Sequence, residues 1–314
     1  MNNNLLGIVS ITAAMVIISL QDTMVKQFHA SYALHEIMVV RAGTALACIL
    51  VFVWIAGELR ALKTRNFPYL MLRGLMLVIA NSCFFLGLAS MPVAQNVALF
   101  FIAPMLITSA SALILREPVG PRRWTAVVVG LLGVVVVLRP DDGIIRWEAF
   151  LPIMAASAYA CMQLMARRMG TVETAATMVV YMQLTLLSFS LIVGLFAGDG
   201  RFSGGGHVST EFLLRAWQTP SLSDLALWIL MGMLNVAGGY LMTQAYRVAN
   251  AALVAPFEFV AIPCSVCWGF ALYAEIPDRG VLLGIALILG SGMYIGHREL
   301  TLARARKGGD AAPT

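Results

Sequence analysis

Charge is scarce in this chain. Only 12% of its 314 residues are Asp, Glu, Lys or Arg, against 60% hydrophobic. A soluble core does not need that much apolar surface, and the mean hydropathy of +0.84 agrees. Polar linkers are short, which excludes a sizeable second, soluble domain. Histidine is rarer still: His29, His35, His207 and His297 fall in loops or at helix ends, too scattered for a catalytic cluster. The paired acids Asp141-Asp142 sit in a short loop and read as a solvated turn. No G-x-x-x-x-G-K-[ST] stretch is present to cradle phosphates, so no ATP-driven step is expected. The five cysteines, Cys48, Cys83, Cys161, Cys264 and Cys267, all lie inside apolar runs. Cys264-x-x-Cys267 lacks a second pair or a nearby His, so these are expected to be small buried thiols, with no metal or other cofactor. The pI of 9.1 and net charge of +5 do not call for nucleic acid, because the basic residues lie in loops between apolar runs.

What the chain has is apolar runs, and they fill it almost end to end. They span Leu5–Phe28, Leu34–Ala56, Pro68–Ser90, Val93–Leu115, Trp124–Leu138, Ala149–Met169, Thr174–Ala197, Leu225–Arg247, Ala251–Tyr273 and Gly280–Ile295. Most approach the ~20 residues that carry an α-helix across ~30 Å of hydrocarbon. The fifth and tenth are shorter and are expected to be extended by polar neighbours. In lipid every backbone N–H and C=O must be satisfied within its own segment, so the runs are expected to be helices. The fold class is therefore an all-α membrane protein with ten transmembrane helices. The start, Met1-Asn2-Asn3-Asn4, lacks a basic n-region and no small-residue cleavage site follows, so the first run is expected to be a retained span.

The loops set an orientation. With the N-terminus cytoplasmic, the inner side holds Arg60, Lys63, Arg65, Arg73, Arg116, Arg122, Arg123, Arg167, Arg168, Arg247, Arg298, Arg304, Arg306 and Lys307. The outer side holds only Lys26, Arg139, Arg146, Arg201, Arg215 and Arg279, with Arg41 inside the second run. This positive-inside bias puts both termini in the cytoplasm of a multi-pass protein of the cell (inner) membrane.

The chain also repeats itself. Gly87–Pro118 lies over Ala245–Ile276 without a gap, Glu117 falling on Glu275. Each copy has a small-residue turn (Met91-Pro92-Val93-Ala94; Ala249-Asn250-Ala251-Ala252), then an apolar helix with proline (Pro104; Pro256 and Pro263), then an acid near a proline. Each is followed by a short Gly-rich apolar helix. Gln21 and Lys26 in the first run parallel Gln163 and Arg168 in the sixth. Five helices per half is odd, so the second half enters the membrane upside down. The expected organisation is a first repeat at 1–140, a second at 141–298 with an extramembrane segment at 198–223, and a disordered cytoplasmic tail at 299–314. Inverted repeats mark secondary transporters, with substrate near the midplane.

At these residues the sequence resembles the drug/metabolite transporter superfamily in its EamA-domain branch. The resemblance rests on Gly87-Leu88 through Ala94 to Pro104, Arg116-Glu117-Pro118, Ala255-Pro256-Phe257-Glu258, Glu275-Ile276-Pro277-Asp278, Gly284, Ser291-Gly292-Met293-Tyr294-Ile295 and Arg298-Glu299. It covers nearly the whole chain except the tail after Arg298 and the segment 198–223. It implies the ten-helix 5+5 fold and transport. Similar family members move riboflavin, S-adenosylmethionine, amino-acid metabolites or metal-chelating peptides, and no motif here chooses among them. The Trp common early in the first helix of the family is absent, that stretch reading Ile17-Ile18-Ser19-Leu20-Gln21-Asp22.

Polar residues inside apolar runs are the candidate site. Asp22 and Lys26 come late in the first run, Glu36 and Arg41 early in the second, so all four lie in the outer third. Asp22 and Lys26 share a helix face, and Asp22 is the natural partner of Arg41. Two readings stand: a structural ion pair with Lys26 snorkelling to the headgroups, or an outer gate. Glu258 sits about two turns into the ninth run, near the midplane. An acid there faces a wet cavity, pairs, or is protonated; the other reading is a neutral Glu bonded to a neighbouring helix. Pro256 is expected to free the carbonyl of Ala252 beside it, a plausible cation or proton site. Asn81, Tyr159, Gln163, Tyr181, Gln183, Asn235 and Tyr240 lie at intermediate depth on different helices, each either helix–helix glue or pocket lining. Phe100, Phe101 and Trp268 add aromatic walls to such a pocket. Pro104, Pro256 and Pro263 are expected to kink their helices.

In the segment 198–223, Thr210–Trp217 reads as a short helix with Thr210 as N-cap, lying in the interface as an anchor or acting as a lid. The function this supports is a secondary transporter, monomeric, for a small polar or amphiphilic metabolite, with protons as candidate coupling ions. An intramembrane lipid-modifying enzyme or a channel is the alternative.

Overall fold

A computed structural model of the chain describes residues 3–57, 59–114, 121–138, 147–169, 173–204, 206–248 and 254–309. Among the described residues every regular element is helical. The α-helices are α1 (Asn3–Lys26), α2 (Leu34–Ile55), α3 (Phe67–Ser90), α4 (Val93–Phe100), α5 (Ala103–Ile114), α6 (Pro121–Leu138), α7 (Phe150–Met169), α8 (Ala175–Ala197), α9 (Val208–Leu214), α10 (Leu222–Val248), α11 (Ala261–Tyr273) and α12 (Arg279–Gly309). Short 3-10 turns lie at Leu59–Leu62, Trp147–Ala149 and Ala255–Val260.

Among the described residues, five helices are long and apolar enough to cross a membrane: Leu5–Lys26, Leu34–Ile55, Phe67–Ser90, Ala176–Ala197 and Leu222–Met242. Shorter apolar helices cover Val93–Ile107, Trp124–Leu138, Phe257–Tyr273 and Arg279–Tyr294. Their outward faces carry large apolar side chains, among them Trp54, Ile55, Val135, Ile192, Leu195 and Phe196. Patches of that kind suit lipid rather than water.

Local sequence explains where the helices stop and start. Pro68 stands in the first turn of α3, where its missing N–H costs nothing. Thr174 caps α8, its hydroxyl oxygen accepting from the Thr177 amide at 3.2 Å. The fifth and tenth apolar runs are extended by polar neighbours, as expected: α6 starts at Pro121 and α12 starts at Arg279.

Four expectations need correction. The fourth run is two helices, because Pro104 cannot donate to the Phe100 carbonyl; the chain turns over Phe101 and Ile102 before α5 begins. The ninth run starts as the 3-10 turn Ala255–Val260, so Glu258 is not two turns into an α-helix. Pro263 falls in the first turn of α11, where proline is tolerated, and introduces no mid-helix kink. Finally, α12 continues to Gly309, where a disordered tail was expected. The stretch Leu300–Lys307 is rich in Leu, Ala, Arg and Lys, all good helix formers. The Ala252 carbonyl lies outside the described residues.

The thiols differ from expectation too. Only Cys83 is buried; Cys48 and Cys264 are half-buried, and Cys161 and Cys267 are exposed, all five free. A thiol is apolar enough to sit on a lipid-facing helix surface as readily as in a core.

The chain forms two compact units. The first comprises Met1–Leu20, Val93–Ile145 and Ala237–Thr314. In it α6 packs along α12, α4 against α11, and α12 against the Ala255–Val260 turn. Glycines let α6 and α12 approach closely: a Cβ at Gly133 would stand 2.9 Å from the Gly284 carbonyl oxygen. The second unit comprises Gln21–Pro92 and Arg146–Val236. In it α3 packs on both α7 and α8, and α2 packs on α8.

The segment 198–223 belongs to the second unit. Its helix α9 starts at Val208 with His207 in the cap position, two residues before the expected start. Thr210 is not the cap; its hydroxyl donates back to the His207 carbonyl at 2.9 Å. Phe212 is buried, and Ser209 Oγ donates to the Leu86 carbonyl at 2.9 Å, so α9 is docked on α3.

Candidate functional site

In the first unit the centre of interest is the break between α4 and α5 and the 3-10 turn that leads into α11. The register that lays Glu117 over Glu275 also lays Ala103 over Ala261, and these begin α5 and α11. It lays Phe101, in the break between α4 and α5, over Phe259, in the 3-10 turn before α11. Their rings lie 5.3 Å apart, tilted by 43°. Phe100 stands edge-on to Phe101 at 6.2 Å. Phe259 is buried, and Gly292 of α12 leaves room for its ring.

Glu258 occupies this same turn and is half-buried. In the gapless register the residue at its place is Phe100, so no acid stands there. Around the turn, Ile11, Ala14 and Met15 of α1 pack with Ala245, Val254 and Ala261, and Phe101 and Phe257 lie against that cluster.

Trp268 of α11 is fixed to α1. Its indole N–H donates to Ser19 Oγ at 3.2 Å, and Ser19 in turn donates to the Val16 carbonyl at 3.0 Å. Tyr240 on α10 is exposed. At the far end of α11, Ala274 adopts a left-handed conformation with φ of 54°. The bonds Ala274 N to Phe270 O and Glu275 N to Gly269 O close the helix. That turn aims Glu275, whose carboxylate accepts from the Val93 amide at 2.8 Å. Val93 opens α4, so the acid satisfies an orphan amide at a helix N-terminus.

In the second unit, Asp22 and Arg41 are brought together as expected, at 3.9 Å. Gln21 also donates to the Asp22 carboxylate. Arg41 is buried, lies 5.0 Å over the Phe85 ring and donates to Met38 Sδ at 3.8 Å. Lys26 does not snorkel outward. It is buried and donates to the Met91 carbonyl at 2.8 Å, the residue that caps α3.

The remaining candidates divide. Tyr159 and Gln163 share α7 and bond each other, amide to phenol, at 3.0 Å. Asn235 accepts from Gln183 at 3.2 Å, joining α10 to α8. Asn81 donates within its own helix to the Leu77 carbonyl at 3.2 Å. Tyr181 is tied to the connection between α2 and α3, donating to the Leu62 carbonyl at 3.2 Å and facing Phe67 edge-on.

Three features escaped the sequence reading. Arg73 was counted in an inner loop, yet it is buried within α3 and its Nε donates to the Met162 carbonyl at 3.3 Å. Its place inside the third apolar run was the available signal. The Phe101–Phe259 contact carries no local signal beyond the repeat register. Nor did anything local link Glu275 to Val93.

Residues 5–139 match the family model described as EamA-like transporter family. Over 275 residues the chain is 28% identical to a riboflavin transporter of Vibrio cholerae serotype O1, covering 86% of this chain and 85% of the relative. A riboflavin transporter of Rhizobium johnstonii is 30% identical over 69% of this chain and 66% of its own length. An S-adenosylmethionine uptake transporter of Rickettsia prowazekii is 26% identical over 93% of both. A solved crystal structure covers 91% of this chain and 96% of its own, with a TM-score of 0.61 at 17% identity, a likeness of fold.

Proposed function

We propose, from the premise that this chain belongs to the EamA-like transporter family, that it carries a small polar or amphiphilic metabolite across the cytoplasmic membrane by alternating access. The family and the relatives are transporters, not enzymes. The observation that carries the reading is the meeting of Phe101, in the break between α4 and α5, with Phe259, in the 3-10 turn that leads into α11. Discontinuous helices in corresponding positions are where secondary transporters build their sites.

The ten-span inverted repeat, 1–140 against 141–298, is part of the same proposal. The two compact units support it. Apart from Met1–Leu20, each half gives its earlier part to one unit and its later part to the other. The packing partners α6 and α12, α4 and α11, and α2 and α8 are each the same-numbered span of the two halves. The positive-inside bias supports cytoplasmic termini. The protein acts as a monomer in this reading.

Glu258 is the residue we assign to a cationic group of the substrate or to a coupling proton. Asn81, Tyr159, Gln163, Asn235, Tyr240 and Trp268 are assigned as polar substrate contacts, and Tyr181 as the weakest of that set because its hydroxyl is engaged by Leu62. Asp22, Arg41 and Lys26 form the outer gate. The relatives' names make riboflavin and S-adenosylmethionine the first substrates to try.

The test is uptake by purified protein in vesicles, with and without a proton gradient. If Glu258 carries the proton, Glu258→Gln loses gradient-driven accumulation but keeps substrate exchange. If it binds substrate, the same change weakens binding, and less for a neutral analogue. Normal transport by Glu258→Gln in both regimes removes it from the site.

A further inference from the structure

Where α2 begins, the second unit holds a hollow of about 10 Å³, lined among others by His35, Ser82, Leu186, Ser190 and Leu213. Three of these side chains are polar, and their hydrogen bonding is incomplete. His35 is 3% exposed, and its Nδ1 lies 3.0 Å from the Leu213 carbonyl oxygen. A carbonyl only accepts, so Nδ1 carries the ring proton. In the neutral ring, Nε2 is then an acceptor. That Nε2 is buried and has no partner. Ser190 is 3% exposed. Neither its hydroxyl nor that of Ser82 has a hydrogen-bond partner among the described residues.

We propose that this hollow is a binding site for one ordered water molecule, which donates to His35 Nε2 and bonds the Ser82 and Ser190 hydroxyls. The size fits, since a buried water needs roughly 10–15 Å³ of such space. The partner count fits as well, because buried waters make about three hydrogen bonds to groups that otherwise lack them. A dry hollow leaves the buried His35 Nε2 without a partner. No carboxylate lines it, so its chemistry does not suit a metal cation.

The water has a structural consequence. The ring it holds is the one that ties down the connection after α9. His35 bonds Leu213 and stacks on Trp217 at 5.8 Å with 29° between planes. The Trp217 amide donates to the Gly198 carbonyl at 2.9 Å, and the Gln218 amide reaches Glu36 at 3.4 Å. Bonded on both nitrogens, the ring has one tautomer and one orientation. Freed at Nε2, it can turn over and release Leu213.

The experiment uses the full chain in lipid nanodiscs with 15N-labelled histidine. His35 is expected as the Nδ1–H tautomer, with Nε2 showing the shift of a hydrogen-bonded acceptor and magnetisation transfer from water. Ser190→Val fills the hollow and removes a partner. It should abolish the water transfer, move Nε2 to its unbonded shift and speed amide exchange at Leu213 and Trp217 about tenfold, the scale of one lost hydrogen bond. Ser82→Ala, which disturbs packing less, should shift Nε2 in the same direction. An Nε2–H tautomer, absence of water transfer in the unaltered chain, or direct bonding of Nε2 to a serine hydroxyl overturns the proposal. So does an Nε2 signal unmoved by either variant.

Discussion

Phe101, between α4 and α5, and Phe259, in the 3-10 turn before α11, meet ring to ring with centroids 5.3 Å apart. The gapless register of Gly87–Pro118 over Ala245–Ile276 lays one of these residues over the other. Truncating a buried Phe to Ala costs roughly 3–5 kcal/mol, and an aromatic pair adds about 0.5–1.5 kcal/mol beyond the area it buries. Phe259→Ala is therefore expected to lower the unfolding temperature more than Phe101→Ala, whose ring is only half-buried. The double variant should lose less than the two singles together. Strict additivity in thermal unfolding would mean that the rings do not support each other.

Gly292 faces that same Phe259 ring, and a Cβ there would overlap it. Gly292→Ala is expected to destabilise by roughly 1–3 kcal/mol, the usual cost of overpacking. Shortening the ring in the double variant Gly292→Ala with Phe259→Leu should recover part of the loss. If the second change only adds to the first, the steric account is wrong.

The ion pair Asp22–Arg41 joins a buried guanidinium to a partly shielded carboxylate. Removing either partner leaves the other poorly solvated, which costs about 3–5 kcal/mol when burial is complete. Asp22→Asn and Arg41→Gln should each reduce thermal stability, and their cycle should show coupling of about 0.5–3 kcal/mol. If the pair also opens and closes during transport, the single variants should alter the rate more than substrate affinity.

Glu275 caps the start of α4 across the first unit. Loss of a helix cap costs about 1 kcal/mol. Glu275→Ala should therefore lower stability by about that much, and Glu275→Gln, which keeps an acceptor oxygen, by less. The surface pair Glu211–Arg215, at 3.8 Å, is the control: Glu211→Gln should change stability by under about 0.5 kcal/mol. Equal effects at the two sites would deny Glu275 its capping role.

Much of this architecture is written locally. Apolar runs report helices directly, because a segment in lipid must satisfy its own backbone. Pro104 reports its interruption, because the lost hydrogen bond is its own. The Asp22–Arg41 pair was legible from depth alone, since two opposite charges at one level of adjacent spans have few other partners. What was not legible depends on long-range packing. Lys26 reads as a snorkelling residue until the Met91 carbonyl is seen beside it. Tyr181 reads as pocket lining until Leu62 takes its hydroxyl. The basic stretch after Arg298 reads as a tail by composition, although its helix propensity carries α12 through it.

The central claim is transport through a site that includes Glu258. Purified protein in vesicles should take up labelled riboflavin or S-adenosylmethionine with saturable kinetics, and Glu258→Gln should abolish accumulation or weaken binding while the protein stays folded. Saturable uptake by the unaltered protein with an unimpaired Glu258→Gln variant would contradict the assigned site, and no saturable uptake of any small metabolite in either direction would contradict the function.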